Sequence, residues 1–229
     1  MMTISRGHIS DRGRSHNMTR STWRATRKDT MTTSQTDRTS LWRTPTRITD
    51  ELIVTGDLKG DRAAEQLAEW TAAGVGTIID VRGEWNDIEL VGELAPHLNY
   101  VYLPTHDNGG RQSDAWFANG VQAVRDALRS QPGSTVLIHC HMGVNRAPSL
   151  AFAVMLDQGW APIEALVRLR AARPIVGIAY AQQAIDWFHR SRGSSETVRN
   201  HDVDAVWQWM RNNTSDTSWI ISRIRRRGG

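Results

Sequence analysis

One stretch in the middle of this chain constrains its fold more than any other. Thr135-Val-Leu-Ile-His139 is a short apolar run of strand character. Pro148-Ser-Leu-Ala-Phe-Ala-Val-Met-Leu156 is an apolar run of helical length with proline in its first turn. Between them, Cys140-His-Met-Gly-Val-Asn-Arg-Ala147 leaves room for one tight loop. A strand that enters a glycine-containing loop and leaves as a helix commits the chain to helices packed on a sheet. It also builds an anion cradle, because successive backbone N–H groups converge there and the helix dipole favours negative charge. The chain's single cysteine, Cys140, lies in that loop six positions before Arg146. The local field favours its thiolate form. Arg146 offers a fork of donors that suits two phosphate oxygens at once.

The rest of the middle region alternates in the same way. Asp61 is placed to cap a helix whose Ala63, Leu67 and Trp70 share a face, with Gly74 ending it. Thr77–Val81 and Tyr100–Leu103 read as strands. Phe117, Val121, Val124 and Leu128 fall on one face of a helix that runs to about Ser130. Helices over about Pro162–Ala172 and Tyr180–Arg190 follow. This pattern predicts an α/β fold with a central parallel-rich sheet of about four to five strands and helices on both faces. It places the cysteine loop at a strand's carboxyl end, where such sheets bind ligands.

The loop, with His139 before the cysteine, Gly143 three residues after it and Arg146 closing it, resembles the cysteine-based protein phosphatases, and most closely their dual-specificity group. The likeness runs from about Ile48 to His189. Ile48–Gly56 resembles the entry strands, and Tyr100–Asp107 resembles the strand and loop that supply the general acid. The resemblance implies Cys140 as nucleophile, Arg146 as phosphate clamp, Asp107 as acid, and His141, Met142, Gly143, Val144, Asn145 and Arg146 as the substrate-binding loop. It implies a phosphatase-like fold, a phosphoprotein substrate, and no metal or cofactor. His139 itself reads as orienting Cys140 through nearby backbone, with a plain core histidine as the other reading. Two departures stand out. Ala147 replaces the usual Ser or Thr, whose hydroxyl helps the thiolate leave, and Arg173–Tyr180 lacks the usual Pro-Asn. Hydrolysis of a phospho-enzyme is therefore expected to be slower or assisted by another group.

Other readings of these residues stay open. Asp107-Asn-Gly-Gly110 is good turn chemistry by itself, and Asp80, Asp87 and Asp114 are rival acids. Asp80 also suits a pair with Arg82, and Trp207 suits a core position. A phosphatase of a non-protein phosphoester, such as a phosphoinositide or an RNA 5′-phosphate, uses the same loop chemistry. A phosphate-binding module without turnover and a sulfur transferase are further alternatives. Zinc at His139-Cys140-His141 is disfavoured, because adjacent ligands do not wrap one tetrahedral ion.

Composition separates the tails from the centre. Residues 1–47 carry ten Lys or Arg against three acids, and Arg223, Arg225, Arg226 and Arg227 crowd the carboxyl end. Residues 48–222 carry fourteen bases and twenty-one acids. The expected organisation is a disordered basic extension over 1–44, a catalytic domain over 45–190, and over 191–229 a linker, a short helix marked by Val203, Val206, Trp207 and Met210, and a basic tail. The tails leave open contact with nucleic acid or an anionic membrane surface. One cysteine excludes an internal disulfide and fits a cytoplasmic, reducing compartment. No run is long and apolar enough for a membrane span.

Overall fold

The computed structural model describes residues 42–216 and Ser218. Its strands are β1 (Thr46–Arg47), β2 (Leu52–Thr55), β3 (Val75–Arg82), β4 (Asn99–Thr105) and β5 (Thr135–His139). They form one sheet in the order β1-β2-β5-β3-β4, parallel throughout except for the two-residue β1. The expected parallel-rich sheet is thus present, with five strands. Leu137 of the central β5 pairs with Ile53 on one side and Ile78 on the other.

Seven helices are present among the described residues: α1 (Ala63–Ala72), α2 (Ile88–Leu94) and α3 (Asp114–Ser130) connect strands, and α4 (Arg146–Asp157), α5 (Pro162–Ala172), α6 (Ala181–Ser191) and α7 (Glu196–Asn212) follow β5. The period-two alternation of the strands divides the core into two layers. Leu52, Val54, Ile79, Val81, Val136 and Ile138 join the larger cluster, built with α3 to α7. Ile53, Val75, Ile78 and Leu137 join the smaller one, which α1 and α2 close with Leu67, Trp70 and Val91. Helix α4 is buried from Arg146 to Leu156, which explains why its sequence is apolar on every face.

The structure corrects several local expectations. Asp61 does not cap α1; it sits in a 3-10 turn (Gly60–Arg62) and its carboxylate accepts from Lys59. Helix α4 begins at Arg146, earlier than Pro148. Trp207 is no core residue: it is 44 % exposed and lies under the Arg211 guanidinium. Helix α2 was not expected from the sequence. The basic residues of 1–41 and 219–229 lie outside the described residues, so most of the reading of the tails does too. The expected disorder does not extend to 42–44, where Trp42 is buried and Arg43 pairs with Asp57. No helix among the described residues is long and apolar enough to cross a membrane.

Candidate active site

The parallel strands deliver three segments to one end of the sheet. β5 runs into Cys140, β3 into Glu84, and β4 into Asp107. Cys140 is free and 2 % exposed. The loop after it is held by its carbonyls. Asp57 N–H donates to His141 O at 3.1 Å, Arg173 Nε to Gly143 O at 2.8 Å, and Gly177 N–H to Val144 O at 2.7 Å. Across a trans peptide the C=O of one residue and the N–H of the next point opposite ways. Carbonyls turned out to the scaffold therefore turn the N–H groups of Met142, Val144 and Asn145 to the inside of the loop. The side chains of Met142 and Val144 are spent elsewhere, in a small cluster with Trp42 and Ile175. Gly143 permits the turn: its φ is +60°, and a Cβ there would lie 2.5 Å from the Thr55 carbonyl carbon.

Arg146, the first residue of α4, is 2 % exposed. Its two terminal nitrogens donate to Glu84 at 2.7 and 2.8 Å, and Nη1 also donates to Thr105 O at 2.9 Å. Burial works against this charge, but Glu84, Cys140 and Asp107 outweigh it and hold Arg146 above its ordinary pKa. Burial likewise opposes the Glu84 charge, and Arg146 overrides it to hold that carboxyl below its ordinary value. Nε is buried without a hydrogen-bond partner. The Nε edge of the fork is therefore available to an anion.

Asp107 lies beside that edge, with Oδ2 3.6 Å from Arg146 Nε. The rival carboxylates are engaged elsewhere: Asp80 and Asp87 with Arg82, and Asp114 with Arg190. Asp80, Asp87 and His139 bring possible metal-ligand atoms within 4.8 Å of one another. A cation among them would meet the Arg82 guanidinium, already bonded to both carboxylates.

Two partners of the loop depart from expectation. His139 is fully buried, and neither ring nitrogen makes a hydrogen bond, so it does not orient Cys140 through backbone bonds. Burial outweighs the attraction of Asp80, 3.7 Å away, and pulls its pKa down to about 4, leaving a neutral ring. The segment lacking Pro-Asn supports the loop through Arg173 instead. This guanidinium is 2 % exposed and bonds Gly143 O, Trp42 O, Thr44 O and Thr46 Oγ1. Burial lowers its pKa to about 10, with the Cys140 charge opposing, so it stays cationic at neutral pH. Sequence reasoning missed Glu84, Tyr180 and the role of Arg173. Only the place of Glu84 just past the end of a strand signalled it.

The family described as "Dual specificity phosphatase, catalytic domain" matches residues 58–190, more than half of the chain. Dual specificity protein phosphatase 26 of Rattus norvegicus is 30% identical over 80 residues, 34% of this chain and 37% of that protein. The matched stretch thus spans little more than a third of that relative's length. Human DUSP28 is similar in fold, with a TM-score of 0.53 at 19% identity, covering 65% of this chain and 95% of that one. PTPMT1 in complex with PI(5)P gives 0.51 at 18%, covering 66% and 99%. With the family match spanning the Asp107 loop, the cysteine loop and the helices behind it, the chain belongs to the dual specificity phosphatase family.

Proposed function

We propose that the chain hydrolyses phosphoprotein monoesters, phosphotyrosine together with phosphoserine and phosphothreonine, through a cysteinyl-phosphate intermediate. The observation that carries this reading is Arg146. It is pinned by Glu84 and Thr105, with a buried Nε edge that makes no hydrogen bond and faces Asp107 at 3.6 Å. Inward N–H groups and that edge suit the equatorial oxygens of a phosphoryl group, whose charge spreads in the transition state. The Cys140 thiolate attacks phosphorus and forms the S–P bond while the P–O bond to the leaving group breaks. Asp107 gives its proton to the departing oxygen. The ionised Asp107 then takes a proton from water as that water attacks phosphorus, breaking the S–P bond and releasing orthophosphate and thiolate. No step calls for a metal. Ala147, buried beside the loop, brings no hydroxyl to help the thiolate leave, so the second step is the slower one.

A phosphoinositide, the ligand named for one structural relative, suits this loop less well. Its variable side chains are His141, Met142, Val144 and Asn145, without a lysine for further phosphates. The single free thiol fits action in the cytoplasm.

The test is p-nitrophenyl phosphate hydrolysis in EDTA by wild type and Cys140→Ser. Turnover that persists in EDTA and vanishes in the variant supports the reading. Wild type that binds phosphate but releases none from substrate points to a binding module instead.

A further inference from the structure

Asp107 receives two hydrogen bonds on the same oxygen. Tyr180 Oη donates to Oδ1 at 2.8 Å, and Asn145 Nδ2 donates to that Oδ1 at 2.6 Å. Oδ2 faces Arg146 Nε at 3.6 Å. A carboxyl oxygen has two lone pairs, and two donors occupy both. A proton on Asp107 therefore has no place on Oδ1. It resides on Oδ2, on the side of the phosphate cradle.

We infer that Tyr180 and Asn145 are positioning residues that decide which oxygen of Asp107 carries the transferable proton and keep it turned toward the leaving group. The inference rests on the reading of Asp107 as the acid. Each donor is itself held in one orientation. Asn145 Oδ1 accepts from Ala179 N–H at 2.6 Å, so the amide cannot flip without losing that bond, and Nδ2 is left facing Asp107. Tyr180 is 2 % exposed, and its backbone N–H donates to Ser149 Oγ. Burial, then Asp107, raises the phenol's pKa, so the hydroxyl stays a donor.

The backbone supports the same assignment. Ile178, two residues before Tyr180, has φ +50°, a strained value for a β-branched residue. It follows Gly177, whose N–H is tied to Val144 O, and precedes Ala179, whose N–H is tied to Asn145. The strain thus sits in the segment that brings Asn145 and Tyr180 to one carboxylate. Asp107 needs such a hold, because it lies past the end of β4, before the bend at Asn108–Gly110, rather than in a strand.

The experiment compares kcat/KM on p-nitrophenyl phosphate, whose leaving group departs without a proton, with phenyl phosphate, whose leaving group needs one. Asp107→Asn sets the full cost of losing the acid. Tyr180→Phe and Asn145→Ser are each expected to lose about ten-fold on phenyl phosphate and about two-fold on p-nitrophenyl phosphate, a partial loss of general-acid catalysis. Inhibition by orthophosphate should change less than about two-fold in Tyr180→Phe, because Tyr180 acts through its bond to Asp107. Equal losses on both esters in both variants would make them ordinary structural residues and overturn the inference. If Asp107→Asn itself shows no preference between the esters, the acid assignment fails first and this inference falls with it.

Discussion

Arg146 and Glu84 are joined through both terminal nitrogens of the guanidinium, at 2.7 and 2.8 Å, so the pair fixes the plane in which the Nε edge lies. Such two-point pairing sets direction as well as charge. The Arg146 side chain is 3% exposed, so the pair is shielded from solvent on its side, whereas Glu84 remains open to water.

Removing the carboxylate should therefore loosen the aim of Arg146 without removing its charge. Glu84→Ala is expected to weaken orthophosphate or vanadate inhibition by about ten-fold, or about 1.4 kcal/mol. Glu84→Gln, which keeps one acceptor oxygen, should fall between. An inhibition constant unchanged in both variants would show that Thr105 O alone aims the guanidinium.

Arg173 tests the support beneath the loop. Its four acceptors belong to the loop and to residues 42–46. Arg173→Met would leave Gly143 O without its donor, and would take one of two donors from Trp42 O and from Thr44 O, a costly loss beneath the loop. The expected destabilisation is on the order of 3 kcal/mol, read from urea unfolding. Arg173→Lys keeps the charge but not the fork, so it should recover only part of this. Wild-type stability in Arg173→Met would mean that water replaces the guanidinium.

The cysteine loop was legible because strand, loop, arginine and helix are consecutive, although Asp57, Arg173 and Gly177 hold its shape from a distance. The same holds for the alternation of strands and helices, and hence for the sheet. What stayed illegible lies across long separations. Glu84 meets Arg146 over 62 positions, Tyr180 meets Asp107 over 73, and Arg173 meets Trp42 over 131. Those meetings depend on sheet order, which no local pattern states. Two-residue β1 and seven-residue α2 are too short to show a period. His139 is instructive in another way. Its position beside Cys140 was plain, but its neutral state follows from burial against Trp70 and Asp80, which the sequence does not reveal.

Gly143 separates backbone strain from collision. Gly143→Ala meets both a positive φ and the Thr55 carbonyl at 2.5 Å, whereas Gly133→Ala meets a φ of +83° with nothing within 4 Å. Gly133→Ala should cost about 1 kcal/mol and retain phosphatase activity. Gly143→Ala should cost about 2 kcal/mol or more and abolish turnover, because the loop moves off β2. The comparison needs thermal unfolding and p-nitrophenyl phosphate hydrolysis on both variants. Similar activities in the two would show that the loop absorbs the added methyl.

His139 makes a prediction about pH. It titrates near 4 in the fold because burial disfavours the imidazolium, against about 6.5 in an unfolded chain. Between these values the unfolded chain binds a proton that the folded chain refuses. Stability therefore rises with pH across this window and is complete above about 6.5. As pH falls from about 6.5 to 4 the protein should lose up to about 3 kcal/mol through this residue alone, and no more below that, where both states are protonated. Carboxylates also titrate near the lower limit, so the informative quantity is a difference. Urea midpoints of wild type and His139→Asn, measured from pH 7.5 to 4.5, should converge as the pH falls. Parallel curves would mean that the ring takes up its proton within the fold, through the Asp80 carboxylate 3.7 Å away.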